Sequence, residues 1–161
     1  MPLLIFLDEK STETLVHAFI TCHLNMCNSL LYGLPDSHIS KLQRIQNSAA
    51  RLVTRTRFAD HITPVLRDLH WLPVKFRIMY KILLLTYKCR HGAAPEYLTD
   101  LIQEYKPVRN LRSSSKQNLV PTSVCTASYG NRCFRQASPE LWNKLPLHIK
   151  NSRTLNQFKL S

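Results

Sequence analysis

His61-Ile62-Thr63-Pro64-Val65-Leu66-Arg67-Asp68-Leu69-His70-Trp71-Leu72-Pro73-Val74 is the stretch on which the reading of this chain turns. Two prolines bracket a short helical segment, expected over residues 64–70. Pro64 can open it, because a first-turn residue needs no amide hydrogen and proline presets φ. Trp71 stands where the next element begins. Downstream, residues 74–90 predict the most apolar helix of the chain. Phe76, Met79, Tyr80, Ile82, Leu83, Leu84 and Tyr87 wrap much of its circumference, so it is expected to be central and buried, and Gly92 closes it.

Upstream, residues 37–55 predict a helix capped by Asp36 or Ser37, with Ile39, Leu42, Ile45, Ala49, Leu52 and Val53 as its apolar stripe. Residues 12–33 predict another. Leu15, Val16, Phe19, Ile20, Met26, Cys27, Leu30 and Leu31 recur there at three- and four-residue spacing. Ser11 or Thr12 caps its start, and Gly33 then Pro35 stop it. Residues 95–104 predict a short helix. From 106 to 139, Ser, Asn, Pro, Thr and Arg dominate and apolar periodicity fades, with short β pieces left open at 119–128. Short helices at 138–145 and 154–160 finish the chain. The expected fold is mainly α: a small helical domain with an irregular, basic C-terminal third.

Residues 61–74 closely resemble a segment in the reading frames of non-LTR (LINE-type) retrotransposons of the chicken-repeat and jockey group. There the segment lies on the C-terminal side of the reverse transcriptase palm. Other stretches follow the order of that family: Leu15-Val16-His17-Ala18-Phe19, Cys27-Asn28-Ser29-Leu30-Leu31-Tyr32-Gly33-Leu34-Pro35 and residues 42–53 upstream. Downstream come residues 80–88, Ala94-Pro95-Glu96-Tyr97-Leu98, Leu111-Arg112-Ser113-Ser114-Ser115, Tyr129-Gly130-Asn131-Arg132 and Leu141-Trp142-Asn143-Lys144-Leu145-Pro146. Nearly the whole chain from residue 12 on is covered. Leu24-Asn25-Met26 departs from the Leu-Asp-Tyr type usual before the Cys-Asn, and the opening Met1-Pro2-Leu3-Leu4-Ile5-Phe6-Leu7 has no counterpart. The resemblance implies a truncated, palm-less fragment of an RNA-directed DNA polymerase. It further implies a leader over 1–11, a thumb-like helical domain over 12–105 and a basic irregular segment over 106–161.

The bulk numbers agree with a cationic role. In 161 residues, 22 Lys and Arg face 10 Asp and Glu, a net charge of +12. Such an imbalance points to an anionic partner, most often nucleic acid, against the plainer alternative of a solubilising surface. No run reaches the roughly 18 apolar residues of a membrane helix. Residues 3–7 are too short for a signal-peptide core and are followed by Asp8-Glu9-Lys10, so a cytoplasmic or nuclear chain is expected. Five cysteines without a tight framework read as reduced thiols.

Catalysis is not expected. Polymerase chemistry needs carboxylates holding two metal ions. Phe58-Ala59-Asp60-His61 imitates the aromatic-Ala-Asp-Asp turn of such enzymes, but histidine replaces the second aspartate and no strand precedes it. Asp68, Glu96, Asp100 and Glu104 read as helix-surface acids. His17, Cys22, His23 and Cys27 share a helix, Cys89 and His91 end another, and Cys125 and Cys133 flank a loop. None makes the tight pairs of a structural zinc site. Cys22 and Cys27 would point about 140° apart on a helix, and Cys27 reads as a small buried hydrophobe. A zinc site and a Cys-His nucleophile remain the sharper alternatives. No cofactor and no metal are expected.

The basic surface is the better candidate. Lys41, Arg44, Arg51 and Arg55 fall within roughly an 80° arc opposite the apolar stripe. No acid stands between Asp36 and Asp60. Arg77, Lys81 and Lys88 share a face of the helix over 74–90. Between Glu104 and Glu140 there is again no acid, while Lys106, Arg109, Arg112, Lys116, Arg132 and Arg135 accumulate. Lys41, Arg44, Arg51, Arg55, Arg77, Lys81, Arg109 and Arg112 are the expected contacts to the phosphates of RNA or an RNA–DNA hybrid, without base readout. A solvated helix face is the alternative for each helix taken alone. Trp71 and Trp142 fit a core, whereas an exposed Tyr129 leaves base stacking open. A rival reading is a protein-interaction or self-associating helical module that docks through exposed apolar faces.

Overall fold

The computed structural model describes residues 8–107, 109, 117–122, 126 and 130–160. The protein is mainly α. In chain order the helices are α1 (Glu9–Val16), α2 (Cys22–Asn25), α3 (Asp36–Thr54), α4 (Ile62–Asp68), α5 (Val74–Arg90), α6 (Glu96–Thr99), α7 (Phe134–Asn143), α8 (Leu147–Lys150) and α9 (Leu155–Leu160). Contacts divide the chain inside α5, into one compact unit ending at Ile78 and a second beginning at Met79. No helix among the described residues is long and apolar enough to cross a membrane.

In the first unit, the single helix expected over 12–33 is broken. Asp8 caps α1, its carboxylate accepting from the Ser11 amide at 3.1 Å, one turn before the expected cap. A π-helical turn, His17–Thr21, then separates α1 from α2. A π turn adds about one residue to the helix and rotates the next turn out of α-helical phase. At Met26 the backbone turns extended, and Cys27 takes a left-handed φ of 50° before a 3-10 turn at Asn28–Leu31. The expected stripe is therefore not buried as a stripe. Val16 is buried, while Phe19, Met26 and Leu30 stand in solvent. Cys27 is exposed too, which corrects its reading as a buried hydrophobe: the left-handed turn carries it off the helix.

Helix α3 runs where expected, but its inward face is centred on Gln46, Ala49, Ala50 and Val53. Ile45 and Leu52, placed in the core by their chemistry, lie on the exposed side. The core of this unit joins Val16, Ala49, Ala50, Val53, Leu66 and Trp71. Gln46, 1% exposed, is inward because it holds the loop after α4: its Nε2 donates to Leu72 O at 3.0 Å. Gln43 hydrogen-bonds Gln46 and accepts from the Val74 amide at 2.9 Å, so it caps the first turn of α5. Two glutamines thus pair with backbone groups on either side of Pro73, Gln46 with the Leu72 carbonyl and Gln43 with the Val74 amide, which a helix start would otherwise leave without a partner.

The stretch 61–74 closes α4 with a Schellman motif. His70 N donates to Arg67 O at 2.9 Å and Trp71 N to Leu66 O at 2.7 Å. The accompanying apolar contact is between Trp71 and Leu66, both buried in the same core. The left-handed position that this motif needs, usually glycine, is His70 with φ 54°. His70→Gly is therefore expected to raise stability by up to about 1 kcal/mol, since relief of left-handed strain exceeds the added chain entropy. His70→Val is expected to lower it by more than about 1 kcal/mol. Urea unfolding of the pair checks this, and equal midpoints would contradict it.

In the second unit, α5 ends in the same motif, with Gly92 at φ 66° and Ala93 N donating to Lys88 O at 2.9 Å. The helix is less uniformly buried than expected: Ile82, Thr86, Tyr87 and Cys89 are inside, whereas Tyr80 is 36% exposed. In the part of α5 that belongs to the first unit, Phe76 is 54% exposed. The short helix after Pro95 spans only Glu96–Thr99. The chain then extends, and Glu104 pairs antiparallel with Leu119, the one bridge among the described residues. Helix α7 starts at Phe134, four residues before the expected start, and contains Pro139. Thr86 and Ser138 hydroxyls bond at 2.8 Å where α5 faces α7. The core joins Tyr87, Leu119, Trp142 and Phe158.

Candidate nucleic-acid interface

The eight expected phosphate contacts separate by what their head groups already do. Lys41 and Arg44 are exposed along α3. Arg55 is exposed at the left-handed C-cap of that helix, with φ 54°. Lys41 and Arg44 lie roughly opposite the buried face in a 100°-per-residue projection, with Ile45 and Leu52 also on the exposed side. Arg51 shares their arc but is engaged. Its guanidinium donates to Asp60 O at 3.0 Å and Arg57 O at 3.4 Å, and sits 5.2 Å from the centre of the Phe58 ring. It ties the loop between α3 and α4 to the helix. The Phe58-Ala59-Asp60-His61 string is this loop, with Phe58 88% exposed.

Arg77 is engaged more completely. Its Nε donates to Leu72 O at 2.6 Å and its Nη1 to Asn25 Oδ1 at 3.1 Å. Burial lowers its pKa below the usual arginine value. It is a brace between α2, the Leu72 carbonyl and the start of α5. Lys81 is exposed on α5, and Arg109 is exposed in a bend. Arg112 and Tyr129 lie outside the described residues.

The acids play local parts. Glu104, expected on a helix, lies in the extended segment and pairs with Arg90 at 3.1 Å. Lys75 and Asp36 form an exposed pair at 3.4 Å, and Lys144 and Glu140 pair at 2.8 Å one turn apart. Exposed pairs of this kind contribute at most about 1 kcal/mol. Cys22, Cys27, Cys89 and Cys133 are free thiols. Cys89 is buried, and burial pushes its thiol pKa up, the wrong direction for a nucleophile. Among the described residues no three His, Cys, Asp or Glu side chains gather closely enough to hold a metal ion.

A second cationic group escaped the sequence reading. In the second unit, Arg90, Lys150 and Arg153 come together around one cleft, although 60 residues separate the first two in the chain. The sequence signal, Lys150-Asn151-Ser152-Arg153, is only two cations three residues apart. Comparison with protein-family models, with curated proteins and with solved structures returns no match.

Proposed function

We propose that this chain is the post-palm region of a LINE-type retrotransposon reverse transcriptase, acting in cytoplasm or nucleus, and that α3 grips nucleic acid without reading its sequence. The chain itself synthesises nothing. Its anionic partner is the backbone of RNA or of an RNA–DNA hybrid. The observation that carries this reading is the outward row of Lys41, Arg44 and Arg55 on a helix flanked by no acid between Asp36 and Asp60. Exposed cations on one face attract phosphates by counterion release, a term indifferent to base identity.

The test uses Lys41→Glu with Arg44→Glu and leaves Arg51 and Arg77 in place, because those two hold backbone carbonyls and their loss would act through folding. Retention on single-stranded RNA is expected to fall sharply. The slope of log affinity against log salt should shrink by about 1.4, roughly 0.7 for each lost contact on a single strand. Binding and slope equal to those of the unmodified chain would make the face merely solvated.

One observation favours a second reading, a helical docking module. Phe19 and Met26 are each 70% exposed in the first unit and Leu30 is 77% exposed, apolar side chains that a docked partner would cover. Docking of that kind should scarcely change between low and high salt, so the same titration separates the two.

A further inference from the structure

The second unit holds a cleft of about 460 Å3 lined by Arg90, His91, Gln117, Lys150, Ser152 and Arg153, with Asn151. Its chemistry is specific. Lys150 is 4% exposed, and its ammonium donates to Asn118 Oδ1 at 3.0 Å and to Asn143 O at 3.3 Å, among other contacts. Arg90 is held in orientation from three sides. Glu104 Oε1 accepts from its Nε and Nη2 at 3.2 and 3.1 Å, Gln117 Oε1 accepts from Nη1 at 3.3 Å, and the Trp142 ring centre lies 5.0 Å from Cζ. Arg153 stands exposed beside them.

Ser152 supplies the independent sign. It is 2% exposed, and its carbonyl accepts from the Tyr87 hydroxyl at 2.9 Å. Its own hydroxyl is buried with no hydrogen-bond partner among the described residues. A buried hydroxyl without a partner is destabilising, so such a group beside a polar cleft marks where an acceptor belongs.

We propose that this cleft binds a phosphate monoester dianion. The exposed Arg153 guanidinium lines the space together with Lys150, Ser152 and Gln117, donor-bearing side chains from separate residues, which suits the oxygens of a tetrahedral dianion better than a planar carboxylate. Lys150 and Ser152 are both buried, so the ligand must enter end-on. A terminal phosphoryl group, with three oxygens clear, can do so. A backbone diester, flanked by sugars on both sides, cannot present as many. The remaining volume accommodates what the phosphoryl group is attached to. This binding goes beyond the non-specific grip of α3 and does not depend on it.

The test is a titration of the full chain with inorganic phosphate, read by amide chemical shifts against sodium chloride at equal ionic strength. Shifts are expected at Gln117, Ser152 and Arg153. Ser152→Ala combined with Arg153→Gln should weaken binding at least about tenfold, the loss expected for one hydroxyl and one charge-assisted hydrogen bond. Arg153 is exposed, so Arg153→Gln alone keeps the test open if the double variant folds poorly. Lys41→Glu with Arg44→Glu should leave phosphate binding unchanged even if RNA retention is lost. A 5′-phosphorylated hexanucleotide, its 5′-hydroxyl counterpart and a mononucleotide locate the source: preference for the phosphorylated strand indicates a nucleic-acid end, preference for the mononucleotide a small metabolite. Shifts no larger than those with chloride, or equal affinity in Arg153→Gln and the unmodified chain, would overturn the proposal.

Discussion

Trp142→Ala is expected to lower the unfolding free energy by about 3–5 kcal/mol, the range for truncating a buried aromatic. Trp142 is 0% exposed. Its ring lies 6.0 Å from that of Phe158, which stacks in turn on Tyr87 at 4.5 Å. The indole Nε1 donates to Gln117 O at 3.0 Å, and Arg90 covers its face. Alanine would leave a void among Tyr87, Leu119 and Phe158 and remove the hydrogen-bond donor from the Gln117 carbonyl. Domains are stable by only about 5–15 kcal/mol, so the loss is a large fraction of the total. Trp142→Phe keeps most of the volume and loses the donor, and should cost about 1–3 kcal/mol. Urea denaturation followed by circular dichroism measures both. A loss below about 1 kcal/mol for the alanine variant would contradict the packing described.

Asn143→Ala is expected to cost about 2–4 kcal/mol, for a different reason. The bridge between Glu104 and Leu119 is closed by Tyr105 N to Asn118 O and Val120 N to Gln103 O, so the amide and carbonyl of Leu119 itself face the other edge. Asn143 completes that edge. Its Oδ1 accepts from Leu119 N at 2.9 Å and its Nδ2 donates to Leu119 O at 3.0 Å. A carboxamide here does what a neighbouring strand's peptide would do. Removing it leaves two backbone groups without partners beside a side chain that is 1% exposed. Asn143→Asp keeps the acceptor but sets an anion against the Leu119 carbonyl, so it should not rescue. Hydrogen exchange at the Leu119 amide gives the local readout. Protection unchanged in Asn143→Ala would remove the basis for this role.

These two side chains show where the sequence stops being legible. Trp142 reads as core because a large apolar ring beside Leu-Pro has few other uses. Asn143, its neighbour, carries no such mark: an asparagine after a helical stripe looks like an ordinary helix end. Its partner is 24 residues away, across a segment with no periodicity. Gln46 is the same case on α3, a polar residue turned inward because Leu72 O waits 26 residues downstream. The reverse happens at Ile45 and Leu52, which are apolar and half in solvent.

The candidate site divides in the same way. Lys41, Arg44 and Arg51 are equivalent cations on one arc in the sequence, yet carbonyls of residues 57 and 60 take up Arg51 and leave the other two in water. Arg77 is taken up likewise by Leu72 O and Asn25. The sequence by itself determined the helices α3 and α5, the glycine stop at Gly92, the two buried tryptophans and the cationic surplus. Those depend on side-chain period, on the missing Cβ of glycine and on residue type, all properties of a few adjacent residues. Only the tertiary structure decided the break at Cys27 and which cations keep their charge in water. It alone drew Arg90, Lys150 and Ser152 around one cleft. The hydration of a long side chain depends on acceptors that other segments carry to it, and no local pattern records where those segments end.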